Sequence, residues 1–366
     1  MNILMVSNEF PPSVGGVQTH VFELSRALVG LGHRVRVLCR HRNKSTAVFE
    51  RLHGIEVERL ALPDNHLIYD WLLGRRLRQL IERDGFELTH VHGMRPLRAC
   101  SKQKVPTLFT NHTSSFVRRA EQSARTRDKM YRLLAPVSTV LTPSEILAEK
   151  TRSIGYTGPV AFIPNGVDNI QFSPGTSDLR ARLGIPDDAF VIAIACRLVP
   201  VKGVRYLAQA VAEIDDPRLH LVIAGDGDER ADIEHILQQK RQSGHAHLLG
   251  AVDNTEMPAI YRAANASALP SLMEATSIAG LEAMACGLPM IGSNVGGIPY
   301  IVQHESTGLL VEPESSSQLK TAIERLLSQP DNCITMGQLA MGRVAAEFTW
   351  RHVAEKVQLH YKKICP

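Results

Sequence analysis

Cysteine is sparse and scattered: Cys39, Cys100, Cys196, Cys286, Cys333 and Cys365 lie far apart, with no Cys-x-x-Cys pair among them. That argues against a disulfide framework and against a zinc site built on thiolates, and leaves reduced thiols in a cytoplasm as the simpler expectation. Long apolar runs are missing too. No window approaches the roughly 18 apolar residues that a membrane-spanning helix needs, so the chain is not expected to cross a bilayer. The opening Met1-Asn2-Ile3-Leu4-Met5-Val6 reads as a short strand, without the basic leader or small-residue cleavage site of a secretion signal, and no such signal is expected. No internal repeat and no low-complexity segment occurs, which argues against solenoids and linker arrays. The Gly-x-Gly-x-x-Gly fingerprint is absent, and with it the main support for a nicotinamide dehydrogenase.

What is present is the composition of a globular protein, 44% hydrophobic and 21% charged, over 366 residues. Single cores stop growing well before that length, so two domains of roughly 150 to 200 residues are expected. Apolar runs alternate with helical patterns from the start: residues 3–6, a helix over 17–31, residues 35–38, and onward to Leu141. That alternation is the pattern of βαβ units and a parallel sheet. Residues 160–168 end a strand and break into turn residues, and a second alternating series begins at Phe190. The domain boundary is placed there, with residues 1–168 before it.

Ligands of such sheets bind outside the carboxyl ends of the strands, so the loops at those ends carry the chemistry. The first, Pro11-Pro12-Ser13-Val14-Gly15-Gly16-Val17, opens an amphipathic helix. Two glycines there let the backbone approach an anion that the free N–H groups and the helix dipole favour, although a diglycine alone is as readily a turn. In the second, Arg197 and Lys202 stand five apart across one loop and can reach a single diphosphate, one as a fixed fork and one as a flexible point charge. Two such residues are otherwise simply solvated. The third runs from Pro270 through Glu274, Ala275, Thr276, Ser277 and Ile278 to Glu282, with the first glutamate in a loop and the second on the early turns of a small-residue helix. A carboxylate is a natural bidentate partner for vicinal hydroxyls, of a sugar ring or of a ribose. The bland alternative is a helix cap and an exposed charge.

The segment from Glu274 to Glu282 resembles the Glu-x7-Glu motif of the retaining GT-B glycosyltransferases of family four, among them phosphatidylinositol mannosyltransferases and bacterial polysaccharide and lipid glycosyltransferases. Gly15-Gly16, residues 163–168, Arg197 with Lys202-Gly203, the Ala224-Gly225-Asp226-Gly227 turn and Gly296-Gly297-Ile298-Pro299 match that family's landmarks in order. The resemblance implies an α/β fold of two Rossmann-like domains, their parallel sheets facing a central cleft. Residues 1–168 would take the acceptor, 169–347 would bind the nucleotide-sugar donor, and 348–366 would form a C-terminal helix packing back on the first domain. Roles follow position by position. Gly15 and Gly16 would offer backbone to the distal phosphate, Arg197 and Lys202 would neutralise the diphosphate, and Glu282 would hold the ribose. Glu274 and the amides of Ala275, Thr276, Ser277 and Ile278 would hold the sugar, and Gly250, Ala251 and Asp253 the base. His112 resembles the histidine that lies over the sugar in this family, with His90 and His92 behind it.

Cys196 stands where the family commonly has glycine, and Ala275-Thr276-Ser277 replaces Gly-Phe-Gly, so the donor sugar, UDP- or GDP-linked, is left open. No Asp-x-Asp loop stands in an obvious metal-binding context, and neither a metal nor any other cofactor is expected. A nucleotide-sugar 2-epimerase and a non-catalytic sugar-nucleotide-binding subunit are the rival readings.

Charge is divided unevenly. Through Asp168 there are 24 Lys and Arg against 15 Asp and Glu, and beyond it 17 against 22, or +9 and −5. Two basic amphipathic segments, around Arg75 to Arg83 and Arg118 to Arg132, hold much of the excess. They point to a lipid-linked or anionic acceptor and to peripheral association with an anionic membrane surface on its cytoplasmic face, with no nucleic-acid partner. The bland alternative is a core-facing helix whose basic side is merely solvated.

Overall fold

The computed structural model describes residues 1–13, 15–42, 45–112 and 114–365, apart from the side chains of Ser114 and Ser115; Val14, within the diglycine loop above, and Thr113, next to His112, lie outside the described residues. By internal contacts the chain divides into two units, Met1–Gly166 with Trp350–Pro366, and Val167–Thr349.

Eight strands form the sheet of the first unit among the described residues: β1 (Asn2–Ser7), β2 (Arg34–Arg40), β3 (Phe49–Leu52), β4 (Ile55–Leu60), β5 (Leu88–His92), β6 (Thr107–Thr110), β7 (Thr139–Thr142) and β8 (Val160–Phe162), in the order β3-β4-β2-β1-β5-β6-β7-β8. Only β3 with β4 is antiparallel. Ile3, Leu4, Met5 and Val6 are all buried, as a strand covered on both faces requires. The helix Gly16–Gly30 buries Val21, Leu24 and Leu28, spaced to share one stripe. The next long helix, His66–Asp84, is capped by Asn65, whose side chain accepts from the amides of Leu67 and Ile68, and ends at Gly85 in the left-handed region.

The two basic segments differ in how they spend their apolar residues. Along His66–Asp84, Leu77 and Leu80 enter the core, while Leu67, Ile68 and Trp71 remain 70%, 50% and 61% exposed. The second segment is two helices, Ser114–Gln122 and Ala124–Leu134, parted at Ser123, which accepts from the Thr126 amide and caps the second. Its Phe116, Val117, Met130 and Leu134 all face inward, and Tyr131, 38% exposed, stands with the basic residues on the outer side. Burying each such side chain stabilises by about 1.5–3 kcal/mol, which makes the core their stronger claimant.

The second unit's sheet has β9 (Phe190–Ala195), β10 (Leu219–Ala224), β11 (Ala246–Gly250), β12 (Ala266–Leu269), β13 (Met290–Ser293) and β14 (Gly308–Val311), all parallel, in the order β11-β10-β9-β12-β13-β14. Apolar clusters cover both faces. In each sheet the direction of growth reverses once, beside β1 in the first and beside β9 in the second, and a crevice opens there at the carboxyl ends. Among the described residues no helix is long and apolar enough to cross a membrane.

Candidate functional site

In the second unit the loops after β9 and β12 meet at the reversal point. The first carries Arg197 and Lys202, the second Ser271 and Glu274. Lys202 Nζ donates to Glu274 Oε2 at 2.5 Å, and Ser271 Oγ donates to the same oxygen at 3.2 Å. Both partners of the ion pair are largely buried. Arg197 is exposed and has no carboxylate partner among the described residues. Close approach of the loops depends on two glycines. Gly203, at φ 63°, has no room for a Cβ against the Pro270 carbonyl, and Gly296, at φ 59°, has none against that of Glu274. The Gly297 amide donates to the same Glu274 carbonyl at 3.0 Å, fixing the glutamate's backbone from the loop after β13.

Glu274 leads into the helix Ile278–Ala285. Ser277 caps it, its hydroxyl accepting from the Gly280 amide at 3.2 Å, and Thr276 is buried beside it. The Ser277 hydroxyl is thus spent on the cap, and what this turn presents is a helix start with its unpaired N–H groups and positive dipole end. Glu282 lies one turn into the helix and is buried. Burial, and after it the Glu282 charge, pushes the buried Tyr261 phenol well above its ordinary value. Gly250 ends β11, its carbonyl accepting from the Gly225 amide at 2.7 Å. Ala251 and Asp253 follow, exposed. The Asp253 carboxylate accepts from the Thr255 amide at 2.9 Å and hydroxyl at 2.6 Å, and these bonds hold it below the usual carboxylate range.

The first unit gathers histidines at its own reversal point. Gly15 caps the helix Gly16–Gly30 without a side chain, and a Cβ on Gly16 would meet nothing within 4 Å, so the helix start is open. One turn in, His20 is buried with Nδ1 2.8 Å from Asn165 Oδ1. His92 ends β5, and its Nδ1 lies 2.9 Å from Nε2 of His112, two residues past β6. Their rings stack 18° apart, with His20 edge-on to His112. Behind them His90 binds the Tyr361 hydroxyl through Nδ1 and Thr110 Oγ1 through Nε2, each at 2.6 Å. Burial is the largest cause lowering all four histidines, His20 to about 4, so the cluster is uncharged at neutral pH.

The structure therefore brings Arg197, Lys202, Glu274, Ala275 to Ile278 and Glu282 together on one unit, and Gly15, Gly16 and His112 on the other. His20 was missed by sequence reasoning. Its spacing, four residues after Gly16, places it one turn into the helix at the ligand end of the sheet, and that signal was there to be read.

Residues 14–169 match the family model described as Glycosyltransferase Family 4, and residues 176–341 match that of Glycosyl transferases group 1. The D-inositol 3-phosphate glycosyltransferase of Corynebacterium jeikeium is 30% identical over 285 residues, spanning 72% of this chain and 68% of its own. A GDP-mannose-dependent alpha-(1-6)-phosphatidylinositol monomannoside mannosyltransferase of Mycobacterium tuberculosis is 28% identical across 97% of this chain and 96% of its own. Sucrose-phosphate synthase from Thermosynechococcus elongatus superposes with a TM-score of 0.86 at 25% identity, over 99% of this chain and 98% of that one. With two Rossmann-like sheets and these matches, the chain belongs to the family-four glycosyltransferases of GT-B fold.

Proposed function

We propose that this glycosyltransferase moves a hexose, with retention and without a metal ion, from a UDP- or GDP-linked donor to an acceptor hydroxyl in cell-surface glycan or glycolipid synthesis. The observation that carries the reading is the Lys202–Glu274 pair beside exposed Arg197 and the N-terminal end of Ile278–Ala285. Two cations, one carboxylate and a helix dipole leave a net positive pocket of the kind a departing diphosphate needs, so charge develops against groups already in place. When a diphosphate takes Lys202, Glu274 is released to accept from sugar hydroxyls, and buried Glu282 is assigned the ribose. The Gly250, Ala251 and Asp253 loop is assigned the base. On the other unit, Gly15 and Gly16 supply backbone N–H groups for the distal phosphate, and neutral His112 supplies an uncharged polar edge for the sugar. Retention follows if the acceptor hydroxyl attacks from the face the diphosphate leaves and that phosphate takes its proton.

The mycobacterial relative's name carries a lipid acceptor and the corynebacterial one a soluble anionic acceptor. Excess positive charge before Asp168 suits either, and the exposed Leu67, Ile68 and Trp71 favour the lipid. Incubating the chelator-treated enzyme with UDP- and GDP-sugars, with and without phosphatidylinositol or inositol phosphate, tests the reading. Nucleoside diphosphate should appear only when an acceptor is added, and the product should keep the donor's anomeric configuration. Sugar isomerised without an acceptor would replace the reading with an epimerase, and activity lost to the chelator would remove metal independence.

A further inference from the structure

His20, His92 and His112 come from three separate elements, yet one ring nitrogen from each lies within 4.8 Å of the other two. We infer that these three histidines form a binding site for one divalent transition-metal ion of the zinc class. Tetrahedral zinc with bonds of about 2.0–2.1 Å holds its ligand nitrogens about 3.4 Å apart. His92 Nδ1 and His112 Nε2, at 2.9 Å, need only part slightly once the hydrogen between them moves to the far nitrogen of its own ring, and no pair needs to close by more than about 1.4 Å on that geometry, within reach of ring rotation.

The surroundings suit a ligand set better than a hydrogen-bonded core. Asn165 Oδ1 can only accept, so His20 carries its hydrogen on Nδ1 and its lone pair on Nε2. That Nε2 is buried and has no hydrogen-bond partner among the described residues. A histidine oriented by an oxygen on one nitrogen while the other is left bare is the usual outer-shell arrangement of a metal ligand. Each neutral imidazole retains one N–H and offers one lone pair, and the fourth position of the ion stays open to water.

Occupancy engages the lone pair of His112. If His112 serves the donor sugar, a step that rests on the proposed function, the ion acts as an inhibitor of a metal-independent reaction.

Titration of the metal-stripped full chain with Co2+ tests the site. The expected result is one equivalent bound, with the visible bands of tetrahedral cobalt, displaced by one equivalent of Zn2+. His112→Ala, at a half-buried loop position that tolerates truncation, and His20→Ala should each abolish the bands. Asn165→Ala keeps all three ligands and should weaken cobalt binding about tenfold. His66→Ala, at an exposed helix start, should leave binding unchanged. Absence of saturable binding, or the same bands at one equivalent in His112→Ala, overturns the site. Transfer assayed with one equivalent of Zn2+ separates the two claims: tight binding without inhibition overturns the role given to His112 and leaves the metal site standing.

Discussion

Lys202 and Glu274 neutralise each other at 2.5 Å until a more negative partner arrives. Because the charge on the leaving diphosphate grows as the sugar departs, Lys202 contributes more in the transition state than in the ground state. Lys202→Ala is expected to lower kcat by about 10²–10³, the usual loss when one preorganised donor is removed, with a smaller change in donor KM. A pure KM effect in steady-state kinetics would reassign Lys202 to ground-state binding. Glu282 differs in kind, since a ribose is held equally before and during transfer. Glu282→Ala should raise donor KM about 10- to 100-fold, the loss of charged hydrogen bonds worth about 1.5–3 kcal/mol, and leave kcat nearly intact; equal losses in both constants would defeat that assignment. Glu274 and Glu282 were legible because they fall within one short motif, and Lys202 because it stands with Arg197 in one strand-end loop. The histidine cluster was only partly so. His112 and its neighbours were singled out, but His20, His92 and His112 are held together by three elements far apart in sequence, and neither the scattered cysteines nor the missing Asp-x-Asp context says what neutral imidazoles would bind.

At the scale of elements, hydrophobic periodicity located strands and helices well, because strands covered on both faces must be continuously apolar. It could not say which apolar residues of an amphipathic segment reach the core: the segment around Arg118 to Arg132 reads as one stretch, and the cap at Ser123 breaks it into two helices. Polar residues inside strands were silent in the same way. His220, second in β10, is buried and stacked on His247 of β11, their planes 8° apart, with the His245 ring 4.7 Å away. Burial first, then the positive charge His245, His247 and Arg180 present to it, depresses His220 to about 4. Its folded value lies below its unfolded one, so the unfolded chain binds more protons between the two. The stability it contributes is complete above about pH 6.5 and is lost as pH falls toward 4, by about 1–3 kcal/mol. Thermal melts over that window should show the midpoint falling with acid, and falling less steeply in His220→Phe, which keeps the volume and removes the titration. Parallel curves for the two proteins would place the acid sensitivity elsewhere.

For the molecule as a whole, the charge division is sharper by structural unit than by sequence half. Met1–Gly166 with Trp350–Pro366 holds 28 Lys and Arg against 15 Asp and Glu, and Val167–Thr349 holds 13 against 22, or +13 and −9. A field of that size on one unit favours an anionic partner. Part of it is spent internally, since Arg76 donates to both oxygens of Glu58 at 2.6 and 3.0 Å. Arg75 and Arg78 stay outward on the helix that exposes Leu67, Ile68 and Trp71, with the Arg75 guanidinium 5.7 Å from the Trp71 ring centre. Residues 67, 71, 75 and 78 follow one line along that helix, apolar at its start and cationic further on. Such a line can insert side chains among lipid headgroups and hold them there electrostatically. The pair of helices at 114–134 adds mainly charge, most of its apolar side chains being buried, with about 1 kcal/mol expected from each basic residue near an anionic surface. Sedimentation with liposomes should therefore require anionic lipid and weaken as salt rises. Changing Arg118, Arg119, Arg125 and Arg127 to Ser should reduce pelleting through charge, whereas Ile68→Ser with Trp71→Ser should reduce it with little change in salt dependence. A protein that stays in the supernatant at low salt with anionic vesicles would remove the membrane from this account and shift the acceptor toward a soluble anion.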